Sequence, residues 1–312
     1  MILVPVTYRG GVYRHDEIVD LIEDLGGYVI QKHMIATEVV LLALVPKDDI
    51  ELIRTIGKPL TGEVTESPLV GTEIAIVTPS LEIHHLPHPA CDIAEYVRRL
   101  GAKSNMVGLA RGFGKRIAML NDEERDVINE HDIAVYLLGN FENCIKKKLP
   151  VLRRGIKVPI ILTGRPDREA LERIADPPVA GYVGNIGRFM HRTREADELG
   201  RLDAVVAEVT RVLNERRAEI AKDPLSISPA RLMAVINEKV PEIREVTSPT
   251  PITVQIAALR VKLPYDTFAS RLRDLELEDG ITLGSIATIE PSRMRDYIMV
   301  RILPFSETNC MV

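Results

Sequence analysis

The fold is decided by residues 133–162, which read IAVYLLGNFENCIKKKLPVLRRGIKVPIIL. Two apolar runs, Ile133–Leu138 and Val158–Leu162, enclose the helical segment Phe141–Leu149. The alternation continues outward, with strands predicted at Val107–Ala110 and Gly181–Val183 and helices at Asp92–Leu100, Glu123–Asn129 and Arg168–Ala175. Such alternation is typical of a parallel sheet with crossover helices, so residues 81–190 are predicted to form a Rossmann-like α/β domain. Ligands of such sheets lie beyond the carboxyl ends of the strands, near the point where strand order reverses.

The N-terminal residues 1–80 show a different order of elements: strand, helix, strand, strand, helix, strand. The predicted strands are Ile2–Thr7, Tyr28–Lys32, Glu38–Val45 and Glu73–Thr78, and the predicted helices are His15–Leu25 and Asp48–Ile56. A βαββαβ order is typical of a ferredoxin-like unit.

The C-terminal third begins with the strongest helical pattern in the chain, Arg192–Lys222, which Asp223 and Pro224 end. We predict a long amphipathic helix over residues 191–223 that packs on its own protein; a partner-binding helix is the alternative. Residues 224–312 are predicted to form an α+β unit. Its tail, Ser306–Val312, is expected to be mobile until something holds it. The fold class is therefore α/β, a mixture of α/β and α+β units.

Composition excludes several classes of function. A chain of 312 residues with 46% hydrophobic and 27% charged residues can bury real cores and is not disordered as a whole. The net charge of −5 argues against a broad nucleic-acid footprint, and the absence of Trp argues against stacking on single strands. Three cysteines fit a reducing compartment, and neither a signal peptide nor a membrane span is evident, so we expect a cytoplasmic protein.

The most unusual local sequence is residues 84–91, HHLPHPAC. The prolines hold this segment extended before the helix that follows, so Cys91 is predicted near the N-terminus of that helix. Unpaired amides and the helix dipole favour a thiolate there, the form of Cys that binds metals. His88, three residues earlier, is a weaker candidate ligand. The alternative is an exposed polar loop with a small buried Cys, because the spacing matches no standard zinc pattern.

The other two thiols are Cys144 and Cys310. Lys147 and Lys148 follow Cys144 at helical spacing, so their charges are predicted to lie beside its sulfur. A solvated lysine face with an incidental Cys is the alternative. Cys310 stands two residues from the C-terminus, in a tail with few apolar neighbours, where it either folds back as a ligand, reaches a partner, or has no function.

Two glycine-rich turns, Gly108–Arg116 and Gly181–Arg188, follow predicted strands and end in cations. Anion binding is physically reasonable at such turns. However, neither completes the dinucleotide fingerprint, and the first also fails the P-loop pattern, so we predict tight loops and no binding of ATP. Hydrolase and simple zinc-enzyme motifs are not found.

The stretches Leu81–Cys91, Gly101–Arg116 and Asp132–Lys148, with the chain length and strand order, resemble methanogenesis marker protein 7, a family of methane-producing archaea. The resemblance implies membership of the ATP-dependent complex that reductively activates methyl-coenzyme M reductase. It also implies complex iron–sulfur clusters for low-potential electron transfer to the nickel tetrapyrrole of that enzyme. The implied partners are methyl-coenzyme M reductase, its operon protein C, methanogenesis marker proteins 3 and 17, and an ATPase component.

Thiolates are the natural ligands of such clusters, and an ordinary cubane needs four of them. With three cysteines in the chain, a cluster shared across a subunit interface fits better than one held by this chain alone. The leading hypothesis is therefore a non-catalytic electron-transfer subunit with Cys91, Cys144 and Cys310 as candidate cluster ligands and His88 as a candidate metal ligand. Two alternatives remain: a small-molecule enzyme that binds an anion at Gly112–Arg116, and a structural adaptor without a cofactor.

Overall fold

The computed structural model describes residues 3–79, 89–109, 120–187, 195–278 and 280–312, which form three successive units. The N-terminal unit consists of β1 (Leu3–Gly11), α1 (Asp16–Asp24), β2 (Tyr28–Ile35), β3 (Glu38–Pro46), α2 (Ile50–Gly57) and β4 (Glu63–Glu66). Its antiparallel sheet has the order β2-β3-β1-β4, and both helices bury isoleucines against it. This is the ferredoxin-like arrangement that the element order predicts.

The fourth strand of this sheet is not the predicted one. The sequence predicts Glu73–Thr78 as the fourth strand, but Glu63–Glu66 occupies that position. Residues 73–79 instead form β5 (Glu73–Pro79), the first strand of the central unit along the chain. The physical reason lies in burial. Residues 74–77 are apolar and fully buried on both faces, as a central parallel strand requires, whereas β4 buries only Val64 and suits a sheet edge.

The central unit continues with α3 (Pro89–Arg99), β6 (Lys103–Leu109), α4 (Asp122–Ile128), β7 (Ile133–Leu137), α5 (Glu142–Leu152), β8 (Ile160–Thr163), α6 (Arg168–Ile174), β9 (Gly181–Val183) and α7 (Glu195–Ile220). All five strands are parallel, in the order β6-β5-β7-β8-β9. Helices α3 and α7 cover one face, and α4, α5 and α6 cover the other. The long helix therefore packs on its own protein, as predicted.

The C-terminal unit consists of α8 (Pro229–Lys239), β10 (Ile252–Val254), β11 (Ala258–Val261), α9 (Tyr265–Arg273), β12 (Glu276–Glu278), β13 (Ile281–Thr282), α10 (Leu283–Ile286), β14 (Ala287–Pro291), β15 (Ile298–Ile302) and α11 (Phe305–Thr308). Its main sheet is antiparallel, in the order β10-β11-β15-β14. Helices α8 and α9 pack on one face of that sheet. None of the helices among the described residues combines the length and the apolar character needed to cross a membrane.

Contacts with the turn after α7 hold the C-terminal tail, which the sequence predicts to be mobile until something holds it. The backbone N–H of Ser306 donates to the Asp223 carboxylate at 3.1 Å, and that of Val312 donates to the Ser226 carbonyl at 2.8 Å. The side chains of Cys310 and Val312 pack against the C-terminal core. The turn that ends α7 therefore anchors the tail.

Candidate functional site

Two of the three cysteines lie at the carboxyl edge of the five-stranded sheet. The strand order reverses there, because the chain passes from β5 to β6 on one side and then returns to β7 on the other. Cys91 is the third residue of α3, which follows β5, and Cys144 is the third residue of α5, which follows β7. Both thiols thus occupy first helical turns beside the reversal point, where ligands of open α/β sheets bind.

The two helices flank opposite faces of the sheet. Helix α3 packs with α7 through Ile93 and Val97, whereas Ile145 and Leu149 of α5 belong to the core on the other face. Cys91 is exposed and Cys144 is partly buried. A ligand that contacts both sulfurs would therefore have to span the edge of the sheet, since no single face carries both.

Several candidate residues lie outside the described part of the chain. These are His84, His85 and His88, together with the residues of the first glycine-rich turn after Leu109. Within the described ranges, no group of three His, Cys, Asp or Glu side chains is placed to hold a metal ion. A cluster ligated at this edge would accordingly need further ligands, and the roles of Cys91, Cys144 and His88 stay predictions.

In the described part of the second glycine-rich turn, residues 181–183 form β9 and residues 184–187 form a tight loop, as predicted. A Cβ on Gly184 would lie 2.4 Å from the Arg168 backbone nitrogen, so the loop sits directly on the start of α6. The N–H of Ile186 donates to the Gly164 carbonyl at 2.8 Å, and Asn185 adopts a left-handed φ of 60°. The loop is fixed by its own backbone contacts.

Cys310 has more apolar surroundings than the sequence suggested. Its partly buried side chain packs against the C-terminal core, and its N–H donates to the Thr308 hydroxyl at 3.2 Å. The expectation of few apolar neighbours was wrong, because the C-terminal core supplies them. This placement gives Cys310 a packing role that does not depend on a cofactor.

The opposite, amino edge of the parallel sheet carries a buried ionic network that sequence reasoning missed. Arg260 of β11 reaches across from the C-terminal unit and is only 2% exposed. Its Nη2 lies 3.0 Å from the Glu73 carboxylate, and its Nη1 lies 2.5 Å from that of Glu130. The Ser292 hydroxyl also accepts from Nη1, at 2.5 Å. The arginine thus joins the first residue of β5, the segment before β7 and the C-terminal sheet.

The neighbouring side chains complete this network. Gln255 donates at 2.5 Å to Oε2 of Glu73, the oxygen that Arg260 Nη2 also contacts. Asn105 donates to Oε1 of Glu73, at 2.6 Å, and to Nε2 of His131, at 3.0 Å. Burial lowers the pKa of His131, which fits a neutral ring whose Nδ1 donates to the Val127 carbonyl. Burial alone would raise the pKa of Glu73, but the charge of the Arg260 guanidinium and the hydrogen bonds from Arg260 and Gln255 hold it below its usual range.

Asp132 adds a second connection between the units. Its two carboxylate oxygens accept the backbone N–H groups of Glu73, at 2.8 Å, and of Ile256, at 3.0 Å. Burial raises the pKa of Asp132 to about 7 despite these hydrogen bonds. In the sequence, the only signal of the network is that ionisable residues directly precede apolar strands, as Glu73 and residues 130–132 do.

A cavity of about 1080 Å³ lies beside this network, between the amino ends of β7, β8 and β9, the end of α7 and the C-terminal sheet. Charged side chains of both signs line it: Asp126, Lys157, Arg216, Glu219, Glu290, Arg293 and Arg301. Arg293 lies 3.6 Å from Asp126 and Arg301 lies 3.6 Å from Glu290, so part of this charge is already paired. The cavity is therefore at the edge opposite to the two thiols.

Comparison with solved structures gives only weak likenesses. A flavone reductase is 14% identical with a TM-score of 0.25, and the match covers 48% of this chain and 63% of that one. A formyltetrahydrofolate deformylase from Pseudomonas putida KT2440 is 12% identical with a TM-score of 0.19, over 52% of this chain and 59% of the other. The chain thus spans less than two thirds of the length of both, and likenesses at this level carry no argument about function.

Comparison of sequences is more informative. An uncharacterized protein of Methanocaldococcus jannaschii is 45% identical over 304 residues, which are 97% of this chain and 95% of the relative. The family model that matches residues 3–275 is that of methyl-coenzyme M reductase operon protein C. These matches support the assignment to a methanogenesis-related family but do not support marker protein 7. Operon protein C, which the resemblance named as a partner, is instead this chain's own family. The chain belongs to the methyl-coenzyme M reductase operon protein C family.

Proposed function

We propose that this protein is a non-catalytic, cytoplasmic subunit of the ATP-dependent assembly that reductively activates methyl-coenzyme M reductase. The observation that carries the proposal is the match of residues 3–275 to the operon protein C family, which associates the chain with that reductase. The proposed partners are the reductase itself, marker proteins 3 and 17 and an ATPase component.

The proposal extends to iron–sulfur chemistry at the carboxyl edge of the parallel sheet. Cys91 and Cys144 stand in the first turns of two helices beside the strand-order reversal, and Cys91 is exposed to an approaching subunit. Backbone amides of first helical turns attract negative charge, and Lys147 and Lys148 add positive charge near Cys144, which suits a negatively charged cluster. Since no third ligand is placed beside them in the described ranges, the cluster would be completed by a partner subunit.

The test is purification of the tagged full chain from its methanogenic host without oxygen. Mass spectrometry should identify subunits of the reductase and of its activation machinery, and iron and acid-labile sulfide should be measured in the same preparation. Cys91→Ser and Cys144→Ser are expected to lower the iron content, because the harder oxygen ligand suits cluster iron less well than sulfur does. Both variants should still co-purify with the partners.

Cys310→Ser is the matched control, because it makes the same chemical change in a side chain that packs against the C-terminal core. It should leave the iron content unchanged, and a loss there would instead make Cys310 a ligand. Failure to recover any reductase or activation subunit would overturn the proposed function. If Cys91→Ser and Cys144→Ser both recover the partners normally and keep the same iron content, the cluster assignment is overturned and a cofactor-free adaptor is favoured.

A further inference from the structure

The turn between β10 and β11, residues 255–257, forms part of the wall of the cavity of about 1080 Å³. Gln255 is only 3% exposed, and its Nε2 donates to the Glu73 carboxylate at 2.5 Å and to the Glu130 carbonyl at 2.6 Å. Both of these groups only accept, so the nitrogen and the oxygen of the amide are assigned by their partners. The amide oxygen accepts no hydrogen bond from any residue that the structure describes. The cavity wall thus carries a buried acceptor that lacks a donor, which is a costly arrangement for a protein interior.

A hydrogen-bond donor lies two residues further along the same turn. The Ala257 carbonyl accepts from the Ile302 N–H at 3.1 Å, whereas the Ala257 N–H makes no hydrogen bond within the described ranges. Ala257 lines the cavity, as Gln255 does. An acceptor and a donor two positions apart are complementary to an amide group of a ligand, which offers one N–H and one C=O.

Two cations of the cavity lining meet at Asn129. Arg301 Nη2 donates to the Asn129 carbonyl at 3.4 Å, and the backbone N–H of Lys157 donates to Asn129 Oδ1 at 2.7 Å. Arg301 also stands opposite Ala258 in the register of β11 and β15, so it lies beside the turn that ends at Ala257. In the described part of the chain, the Arg301 side chain makes no other hydrogen bond, and the Lys157 ammonium makes neither a hydrogen bond nor an ion pair.

The acidic side chains of the same lining are already matched. Glu130 is bound by Arg260, and the Asp132 carboxylate accepts two backbone N–H groups. The Glu290 carboxylate lies 3.6 Å from Arg301, beyond hydrogen-bond distance, so the guanidinium keeps N–H groups for a ligand. The other two acids of the lining each lie beside a cation: Asp126 at 3.6 Å from Arg293 and Glu219 at 2.9 Å from Arg216. Among the described residues of the lining, Lys157 is left as a positive charge without an acidic partner.

We propose that the cavity binds a small organic acid that carries an amide group. The carboxylate of this ligand lies between Lys157 and Arg301, which supply charge-assisted hydrogen bonds. Its amide N–H donates to the Gln255 oxygen, and its amide carbonyl accepts from the Ala257 N–H. The cavity volume of about 1080 Å³ is at the upper end of the range of small-ligand sites, about 300–1,000 Å³, so the ligand can also carry an apolar group against side chains such as Ile256. The site lies at the edge of the sheet opposite to the thiols and is independent of the proposed function.

The test is calorimetric titration of the full chain at pH 7 and low ionic strength with hippurate (N-benzoylglycine), which carries one amide, one carboxylate and an apolar ring. Two analogues separate the contributions of the ligand groups. N-benzoylglycinamide replaces the carboxylate by an uncharged group, and 4-phenylbutyrate keeps the ring and the carboxylate but lacks the amide. Hippurate should bind at least tenfold more tightly than either analogue, because each analogue loses one of the two sets of hydrogen bonds.

Lys157→Met and Arg301→Met should each weaken hippurate binding about tenfold, the loss expected for one charge-assisted hydrogen bond. Both side chains lie outside the apolar cores, so the variants are expected to fold. Neither change should affect N-benzoylglycinamide, which has no carboxylate. Lys47→Met is the matched control, because it removes an exposed charge from the N-terminal unit, outside the cavity lining.

Three results would each overturn the proposal. The first is that hippurate does not bind the unaltered chain, and the second is that 4-phenylbutyrate or N-benzoylglycinamide binds as tightly as hippurate. The third is that Lys157→Met and Arg301→Met leave the affinity for hippurate unchanged, or lower it no more than Lys47→Met does.

Discussion

Replacing Arg260 tests whether the buried ionic network joins the central and C-terminal units. In Arg260→Met the two carboxylates that lie within 3.0 Å of the guanidinium, Glu73 and Glu130, lose their counter-charge while still buried. Removing one partner of a buried ion pair costs about 3–5 kcal/mol, because the remaining charge is left uncompensated. We therefore expect the free energy of unfolding to fall by about that amount. It is measured by urea denaturation at pH 7, with circular dichroism reporting the loss of structure.

Arg301→Met is the matched control on the neighbouring strand, β15. Arg301 is 41% exposed and lies 3.6 Å from Glu290, so this pair is solvated and its loss should cost no more than about 1 kcal/mol. Equal losses in the two variants would contradict the argument, because they would mean that the buried network contributes no more than a surface pair.

The pH dependence provides a second check of the same reasoning. The pKa of Glu73 is held below the ordinary value of 4.5, so its ionised form contributes stability above that pH, and this stability is lost as pH falls through the folded-state pKa. Without Arg260 the buried Glu73 carboxylate takes up a proton more readily, and the bound proton removes its unpaired charge. The gap between the original chain and Arg260→Met should therefore narrow from pH 7 to pH 4. A gap of constant size would refute the electrostatic explanation.

Substitutions at three further positions probe local packing and helix capping, and the thermal unfolding midpoint of each variant is measured. The buried Tyr8 hydroxyl has no hydrogen-bond partner among the described residues. Tyr8→Phe should therefore raise the midpoint, because it removes a desolvation cost of about 1 kcal/mol or more. A lowered midpoint would contradict this explanation. Gly62→Ala should lower it, since the new Cβ would lie 2.2 Å from the Tyr8 ring, and overpacking of this kind costs about 1–3 kcal/mol. Asn121→Ala should lower the free energy of unfolding by about 1 kcal/mol, because the reciprocal cap with Glu124 is lost. Asn121→Asp keeps the hydrogen-bond acceptor and should lower it much less.

The sequence predicted the elements well where local pattern determines them. The ferredoxin-like order and the alternating central strands follow from periodicity, because each element buries its apolar residues on a face that its own spacing defines. The assignment of Glu73–Thr78 was wrong because a β-branched run shows that a strand exists but not which sheet receives it. That choice depends on burial of both faces, which only the neighbouring strands and helices determine.

The ionic network could not be predicted, because its members look like surface residues in sequence. Glu73 and Arg260 are 187 positions apart, and nothing near either residue identifies its partner. Cys310 was misjudged for the same reason: its tail is polar locally, yet it packs against a core formed by other segments. By contrast, the placement of Cys91 and Cys144 at helix starts followed from the prolines before α3 and the strand before α5, which are local signals.

The two edges of the parallel sheet have different consequences for assembly. At the amino edge, Arg260, Asp132 and Gln255 join the central unit to the C-terminal unit, so that edge is occupied within the chain itself. At the carboxyl edge, Cys91 is exposed, and no hydrogen bond or ion pair within the described ranges ties it to the other units. A partner that completes a cluster would therefore approach from the carboxyl edge.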